Sequence, residues 1–463
     1  MKLKKHQREC VLEIKNLFNE NEDDYDEKKR GLIKMFCGSG KSFVIYHSIF
    51  KHGGSLSIIV VPSINLISQF NCDYFFNDKM IEYSNKKFNK DYELISICSK
   101  NELKEKEYSN KIKLTTEPDI ITNFLQIDDD FFGDEDNKDK IVIITYQSLD
   151  TLFQILQENY INVNLICFDE AHHICADKTK ELLFQNEYTE KYVDKMLFFT
   201  ATPINKNSVC MYVPSNEFTI SDTKGDEYYE IINLDEEQDD YYCEFDEDYT
   251  DCGNLLFEYM HKTGVNDNIL NDFRVRVDLY TENTDKSVFE AISRAILETG
   301  NSRVLTFHSR SETKSDKGTN VNDFSNKSNL IEFKKIFNSV QQAEFPLLKN
   351  KYKNIYFEGI TASTPNRIKV LDKFDKMNDN EIFILASCKT IGEGVDTKNA
   401  NMLCFVDAKQ SYIEIVQNIG RICRKNINTK QKATVLIPAG FIRRNIKIVK
   451  VIQKKEINLF GMI

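Results

Sequence analysis

Ten short apolar runs, with helical stretches between them, limit the fold of this chain more than any other feature. They are Leu32–Met35, Ser57–Val61, Ile141–Thr145, Leu165–Phe168 and Met196–Phe199 in the first half. Arg303–Phe307, Ile355–Phe357, Ile382–Ala386, Met402–Val406 and Thr434–Ile437 repeat the rhythm in the second. Each is too short for a helix and is followed by a turn signal or an amphipathic stretch. Near-continuous apolar strands are buried on both faces, and the crossover helices of a parallel sheet provide that burial. The pattern predicts an α/β chain with two tandem parallel-sheet domains, over 1–204 and 285–463.

From 205 to 284 the rhythm fails. Asp235–Asp251 is rich in Asp and Glu and contains no Lys or Arg, so the stretch reads as an acidic insertion or linker on the solvated surface. Smaller acidic patches occur at Glu20–Glu27 and Asp128–Asp139. The sharper alternative, an acidic segment that mimics nucleic acid or shields a groove, is not demanded by anything in the sequence. With 61 Lys+Arg against 72 Asp+Glu the formal charge is −11. That argues against coating nucleic acid by bulk charge and leaves a local groove open. The charge is unevenly spread, because Arg421–Lys455 holds eleven Lys and Arg and no acidic residue.

The twelve cysteines form no CxxC pair, which argues against a zinc site. Cys167 and Cys404 lie inside apolar runs, where a thiol acts as a small hydrophobe. A reducing, intracellular setting is expected, cytoplasmic or a viral replication compartment, and not secretion. No apolar run approaches the roughly 18 residues of a membrane span, and Met1–Glu20 has no signal-peptide core.

The strongest local signal is Met35-Phe36-Cys37-Gly38-Ser39-Gly40-Lys41-Ser42, between a strand and the helical run Phe43–Phe50. Glycines let backbone N–H groups turn towards phosphates, and the helix N-terminus adds a favourable dipole. Lys41 would reach the β- and γ-phosphates and Ser42 would hold Mg²⁺. The first glycine of the strict phosphate-loop pattern is Met35 here, and GSGKS alone is also compatible with an ordinary turn. The second signal is Asp169-Glu170-Ala171-His172, directly after an apolar run. Carboxylates at the carboxyl end of a parallel strand face the ligand crevice of an open sheet. Asp169 would bind the metal, and Glu170 would orient and deprotonate an attacking water. The rival is a solvated acidic turn. His172 and His173, being adjacent, are expected to point apart rather than share a metal.

GSGKS, DEAH and Thr200-Ala201-Thr202-Pro203, in this order, resemble motifs I, II and III of superfamily-two helicases and translocases. Leu3-Lys4-Lys5-His6-Gln7 is similar to the upstream glutamine motif, which implies that Gln7 reads the adenine edge. Val60-Val61-Pro62-Ser63 resembles motif Ia, and Thr145-Tyr146-Gln147-Ser148 the nucleic-acid-facing motif before motif II. Leu305–Arg310 resembles motif IV, Gly392-Glu393-Gly394-Val395-Asp396 motif V, and Gln417–Arg424 motif VI.

The resemblance implies two RecA-like domains with the acidic insertion between them. ATP and Mg²⁺ are the implied cofactors. Gln7, Gly38, Ser39, Gly40, Lys41, Ser42, Gly394 and Asp396 would bind the nucleotide. Lys41, Asp169, Glu170, Arg421 and Arg424 would be catalytic, and Ser42 and Asp169 would hold the metal. His172, Thr200, Thr202 and Gln417 would couple the nucleotide to the track. Pro62, Ser63, Thr145, Gln147, Ser309 and Thr361 would contact phosphate and sugar, although each alone is as well read as a cap or turn. Phe75 and Phe76 could stack bases, but paired aromatics are more often core.

Arginine suits the charge that a phosphoryl transition state spreads over three oxygens. Arg421 and Arg424, three apart, are expected within about one helical turn of each other. Two departures stand out. Asn418 replaces an arginine found in many members, and with 39 residues after Arg424 the accessory domains of larger helicases are not expected. The DEAH and GVD spellings resemble restriction-type motor subunits and helicases of large DNA viruses, which favours DNA over RNA as partner. The rival function is a nucleic-acid-stimulated ATPase switch or scaffold that separates no strands.

Overall fold

All ten apolar runs form strands. The computed structural model describes residues 2–19, 29–98, 114–125, 138–175, 177–204, 211, 252–280, 284–309, 319–361, 364, 367–388, 397, 399–407, 411–425 and 431–440. These fall into two compact units, one ending at Met260 and the other beginning at His261. Expectations for the acidic run Asp235–Asp251, for the patch Glu20–Glu27, for most of Asp128–Asp139 and for Gly392–Asp396 lie outside the described residues, as does the basic segment beyond residue 440.

The first unit is built on eight strands: β1 (Lys29–Met35), β2 (Leu56–Val61), β3 (Tyr92–Ile97), β4 (Leu114–Thr115), β5 (Asp139–Thr145), β6 (Leu165–Asp169), β7 (Lys195–Thr200) and β8 (Asn254–Tyr259). They lie in the order β4-β3-β5-β2-β6-β7-β1-β8, every pairing parallel. Period-two geometry sends alternate residues to opposite faces, and both faces are buried. Leu32, Ile58, Val60, Val142, Ile144, Ile166, Phe168 and Phe198 enter one core cluster. Ile33, Ile59, Val61, Ile141, Ile143, Leu165, Cys167 and Phe199 enter the other, beneath the helices Lys5–Asn19 and Lys41–His52.

The second unit holds β9 (Phe273–Tyr280), β10 (Arg303–Phe307), β11 (Asn354–Ile360), β12 (Glu381–Ser387), β13 (Met402–Phe405) and β14 (Ala433–Gly440). Their order is β11-β12-β10-β13-β14-β9, again wholly parallel. Val304, Ile382, Ile384, Met402 and Cys404 pack with Phe289 and Phe333 of the helices Asp285–Thr299 and Lys327–Glu344. Two tandem parallel sheets of the RecA-like kind are thus present.

One expectation needs correction. The end of the 205–284 stretch is not irregular, because β8 completes the first sheet against β1 and β9 completes the second against β14. Both are outer strands whose residues are mostly half-buried, so they lack the continuous apolar run that marks a central strand. No described helix is long and apolar enough to cross a membrane. Cys10, Cys37, Cys72, Cys98, Cys167, Cys252, Cys388, Cys404 and Cys423 are free thiols.

Candidate active site

Parallel strands deliver their following loops to one edge, and in the first unit the chemistry-bearing residues collect there. After β1 the chain turns through Gly38 (φ 81°) and Gly40 (φ 95°) and enters the helix at Lys41. Both glycines hold left-handed backbone that a side chain disfavours. At Gly40 an added Cβ would also collide with Gln7 Nε2. Ser39 Oγ donates to the Phe36 carbonyl at 2.6 Å, which tightens the turn. Ser42 stands half-buried in the first turn of the helix.

The loop is gripped from outside by the N-terminal segment. His6 Nε2–H donates to the Ser39 carbonyl at 2.9 Å, and Gln7 Nε2 donates to the Gly40 carbonyl at 3.3 Å. Gln7 Oε1 accepts from Lys4 N–H at 2.9 Å, so the amide at the predicted adenine position bridges two backbone segments.

Lys41 Nζ lies 3.1 Å from Glu170 Oε1, with side-chain exposures of 8% and 18%. Burial opposes the charge on Lys41, but Glu170 outweighs it and holds the ammonium above the usual lysine range. Burial likewise opposes the Glu170 charge, and Lys41 outweighs it, holding that carboxyl below its usual range. Asp169 is raised, first by burial and then by the neighbouring Glu170, to about 7. Their surroundings therefore shift the two adjacent carboxyls in opposite directions. Glu170 has φ 49°, its N–H donates to Asp169 Oδ1 at 3.0 Å, and its Oε2 is buried without a hydrogen bond.

Beside this pair runs a second network. Thr200, at the end of β7, accepts from Thr202 N–H and donates its hydroxyl to the Thr202 carbonyl, both at 3.0 Å. His172 Nδ1 lies 3.1 Å from the same hydroxyl oxygen, within hydrogen-bond distance. The same nitrogen stands 3.7 Å from Glu170 Oε2. Motif II is thus joined to motif III through one imidazole, while the Thr202 hydroxyl is buried without a partner. His172 and His173 do not point apart, since the short helical turn Ala171–Cys175 brings their rings to 4.6 Å. Among the described residues no group of three His, Cys, Asp or Glu could hold a metal.

The residues expected on the nucleic-acid side of this unit follow β2 and β5. Pro62 and Ser63 are half-buried, Ser63 at the N-cap of the helix Ile64–Phe70, its hydroxyl without a hydrogen bond. Thr145 Oγ1 lies 3.3 Å from Ser148 Oγ, and Gln147 is exposed. Phe75 is core, in contact with Tyr46 and Tyr92.

In the second unit, Ser309 follows β10 and gives both its N–H and its hydroxyl to Asp407 Oδ2, each at 2.7 Å. Thr319 N–H and Oγ1 donate to the same oxygen at 3.0 and 2.8 Å. Burial opposes the charge on Asp407, and these donors outweigh it and hold its pKa below the usual aspartate value. Sequence reasoning missed Asp407, although a carboxylate directly after an apolar run was the signal that found Asp169. Thr361, after β11, is buried and exchanges hydrogen bonds with Thr364.

Arg421 and Gln417 lie on the helix Tyr412–Ile422, capped by the Ser411 hydroxyl. The helix ends before Arg424, whose backbone bridges to Leu270 while Asn271 N–H donates to the Cys423 carbonyl at 2.7 Å. The two arginines are therefore not on one helical turn, because backbone pairing redirects the chain between them. Gly394 and Asp396 lie outside the described residues.

Comparison with known proteins follows these divisions. Residues 1–205 match the family model of the type III restriction enzyme res subunit, and 287–426 that of the helicase conserved C-terminal domain. Among solved structures the fold is similar to the ATP-dependent type ISP restriction-modification enzyme LlaBIII bound to DNA. That match has 18% identity and a TM-score of 0.63, over 96% of this chain and 28% of that one. It is similar also to a nuclease-deletion mutant of the type ISP enzyme LlaGI in complex with a DNA substrate mimic. Here the identity is 18% and the TM-score 0.57, over 99% and 29%. The chain thus spans less than a third of the length of either relative. No curated protein sequence matches it.

Proposed function

We infer that the chain is an ATP-dependent helicase of superfamily two, a motor that moves along or unwinds DNA, as its matches to a restriction-enzyme subunit model and a helicase C-terminal model support. ATP hydrolysis at the phosphate loop of the first unit would drive that movement. The observation that carries this reading is the Lys41–Glu170 ion pair at 3.1 Å beside Asp169 and the His172–Thr200–Thr202 chain. The left-handed glycines of the loop, the helix that starts at Lys41 and the unpartnered Glu170 Oε2 fit a nucleotide triphosphate.

Lys41 exchanges Glu170 for the phosphates, and Glu170 then loses the cation that depresses its proton affinity. The change runs in the direction a general base needs. The Glu170 oxygen without a hydrogen bond receives the proton of the attacking water. His172, held by Thr200, reports the state of Glu170 to motif III. Ser42 and Asp169 would hold Mg²⁺, which would supply positive charge beside the phosphates. Gln7, with Gly38, Ser39 and Gly40, shapes the nucleotide site. Gly394, Asp396, Arg421 and Arg424, which resemble motifs V and VI, would add to nucleotide binding and turnover. Pro62, Ser63, Thr145, Gln147, Ser309 and Thr361 track the strand, with Gln417 coupling it to the nucleotide. The match to a restriction-enzyme subunit, and the DNA in the two solved relatives, support DNA over RNA.

The test is phosphate release with single- and double-stranded DNA and RNA, run beside displacement of a labelled strand. A motor releases phosphate faster with its preferred nucleic acid and displaces or translocates. Stimulation without movement would assign the chain to the ATPase-switch class instead.

A further inference from the structure

The strand that leaves the first unit is fastened to the phosphate loop. Tyr259 is the last residue of β8, and after Met260 the chain passes into the second unit. Its carbonyl accepts from Phe36 N–H, the first amide of the loop, at 2.9 Å. Its ring, 3% exposed, stacks on the His6 imidazole with centroids 4.1 Å apart and planes 15° from parallel. The same imidazole donates to the Ser39 carbonyl in the middle of the loop. One residue earlier, Glu258 pairs with Lys34 of β1 at 2.6 Å. Phosphate-loop backbone, His6 and the outgoing chain therefore form one packed body, tied at the start and in the middle of the loop.

We propose that Tyr259 is a positioning residue that couples the conformation of the phosphate loop to the chain connection between the two units. A loop that reorients its amides around a triphosphate shifts the Phe36 N–H and the Ser39 carbonyl. The first moves Tyr259 through its backbone, the second through His6 and the stacked ring. Packed rings have few alternative arrangements, so a small displacement passes on rather than being absorbed. Coupling of this kind is reciprocal: whatever nucleotide does to DNA affinity through this body, DNA does to nucleotide affinity.

The inference rests on the helicase reading, and the experiment separates the two. The affinity of the full chain for fluorescein-labelled single- and double-stranded DNA is measured with and without a non-hydrolysable ATP analogue. The affinity for a fluorescent ATP analogue is measured with and without DNA. Wild-type protein should show a coupling factor of at least about fivefold. Tyr259→Leu, which keeps the backbone bond and removes the stack, should lower that factor at least about twofold while each ligand alone still binds. Tyr259→Phe should restore it. His6→Leu breaks the stack from the other side and should act as Tyr259→Leu does, which serves if the Tyr259 variant does not fold. A coupled wild type with undiminished coupling in Tyr259→Leu or His6→Leu overturns this inference alone. A wild type without coupling overturns the helicase reading, and this inference with it.

Discussion

The two sheet edges hold their loops by opposite means. At the edge of the first unit, opposite charges face each other: Lys41 and Glu170 are mutually paired, and each keeps the other ionised against burial. At the edge of the second, one carboxylate, Asp407, gathers four donors from Ser309 and Thr319. An ion pair whose members both suit other partners is made to be exchanged. A carboxylate saturated by backbone and hydroxyl donors is made to stay. On the proposed function, the first arrangement is where chemistry would happen and the second where a loop is fixed.

Four experiments sharpen or break that contrast. The largest effect belongs to the exchangeable pair: Lys41→Ala and Glu170→Gln should each lower ATP turnover by on the order of a thousandfold. Glu170→Gln should still bind nucleotide, and wild-type phosphate release by either variant would sink the assignment. Next is the fixed loop. Asp407→Ala strands the donors of Ser309 and Thr319 and should reduce unfolding free energy by about 1–3 kcal/mol in denaturant titration. Because the folded pKa of Asp407 lies below its ordinary value, its contribution is complete above the ordinary aspartate value. It fades as pH falls through the folded one, so the gap between wild type and variant should narrow in acid. A gap that widened there would contradict the role given to Asp407.

Smaller still, Gly40→Ala places a Cβ on left-handed backbone at a cost of about 1–2 kcal/mol and displaces Gln7. Nucleotide affinity should fall about tenfold, and an unchanged affinity would detach Gln7 from the site. The smallest change is His172→Ala, which should remove about 1 kcal/mol of stability. It should also lower the stimulation of turnover by DNA about threefold. Equal stimulation in wild type and variant would leave His172 with a structural role only.

Central strands were legible because burial on two faces writes a continuous apolar run, as in Ile58–Val61 and Ile382–Ala386. The outer strands were not. Phe273–Tyr280, read FRVRVDLY, alternates polar and apolar residues as a strand at the rim does, and Leu114–Thr115 is too short to write any pattern. The phosphate loop and the Asp169-Glu170 turn could be read because their chemistry needs particular residues in sequence. Tyr259 could not be singled out so, because its partners Phe36 and His6 are distant in the chain and meet it only through sheet order, and Asp407, though it follows an apolar run, takes its role from the equally distant Ser309 and Thr319. The shared helical turn expected for Arg421 and Arg424 is absent for a related reason: spacing assumed one helix, and the helix ends at Ile422 before the Leu270–Arg424 bridge.

The parallel pairing of β8 with β1 also decides where the protein can be divided. A fragment cut at residue 205, where the first family match ends, would lose β8 and leave Lys29–Met35 as an outer strand. That strand is apolar at Leu32, Ile33 and Met35 and buried at each of them. An uncovered edge of that composition is a template for strands from other molecules, and such edges seed aggregation. A soluble ATP-binding half therefore has to keep Asn254–Tyr259 attached, and a second half begun after Tyr280 would expose β14 in the same way.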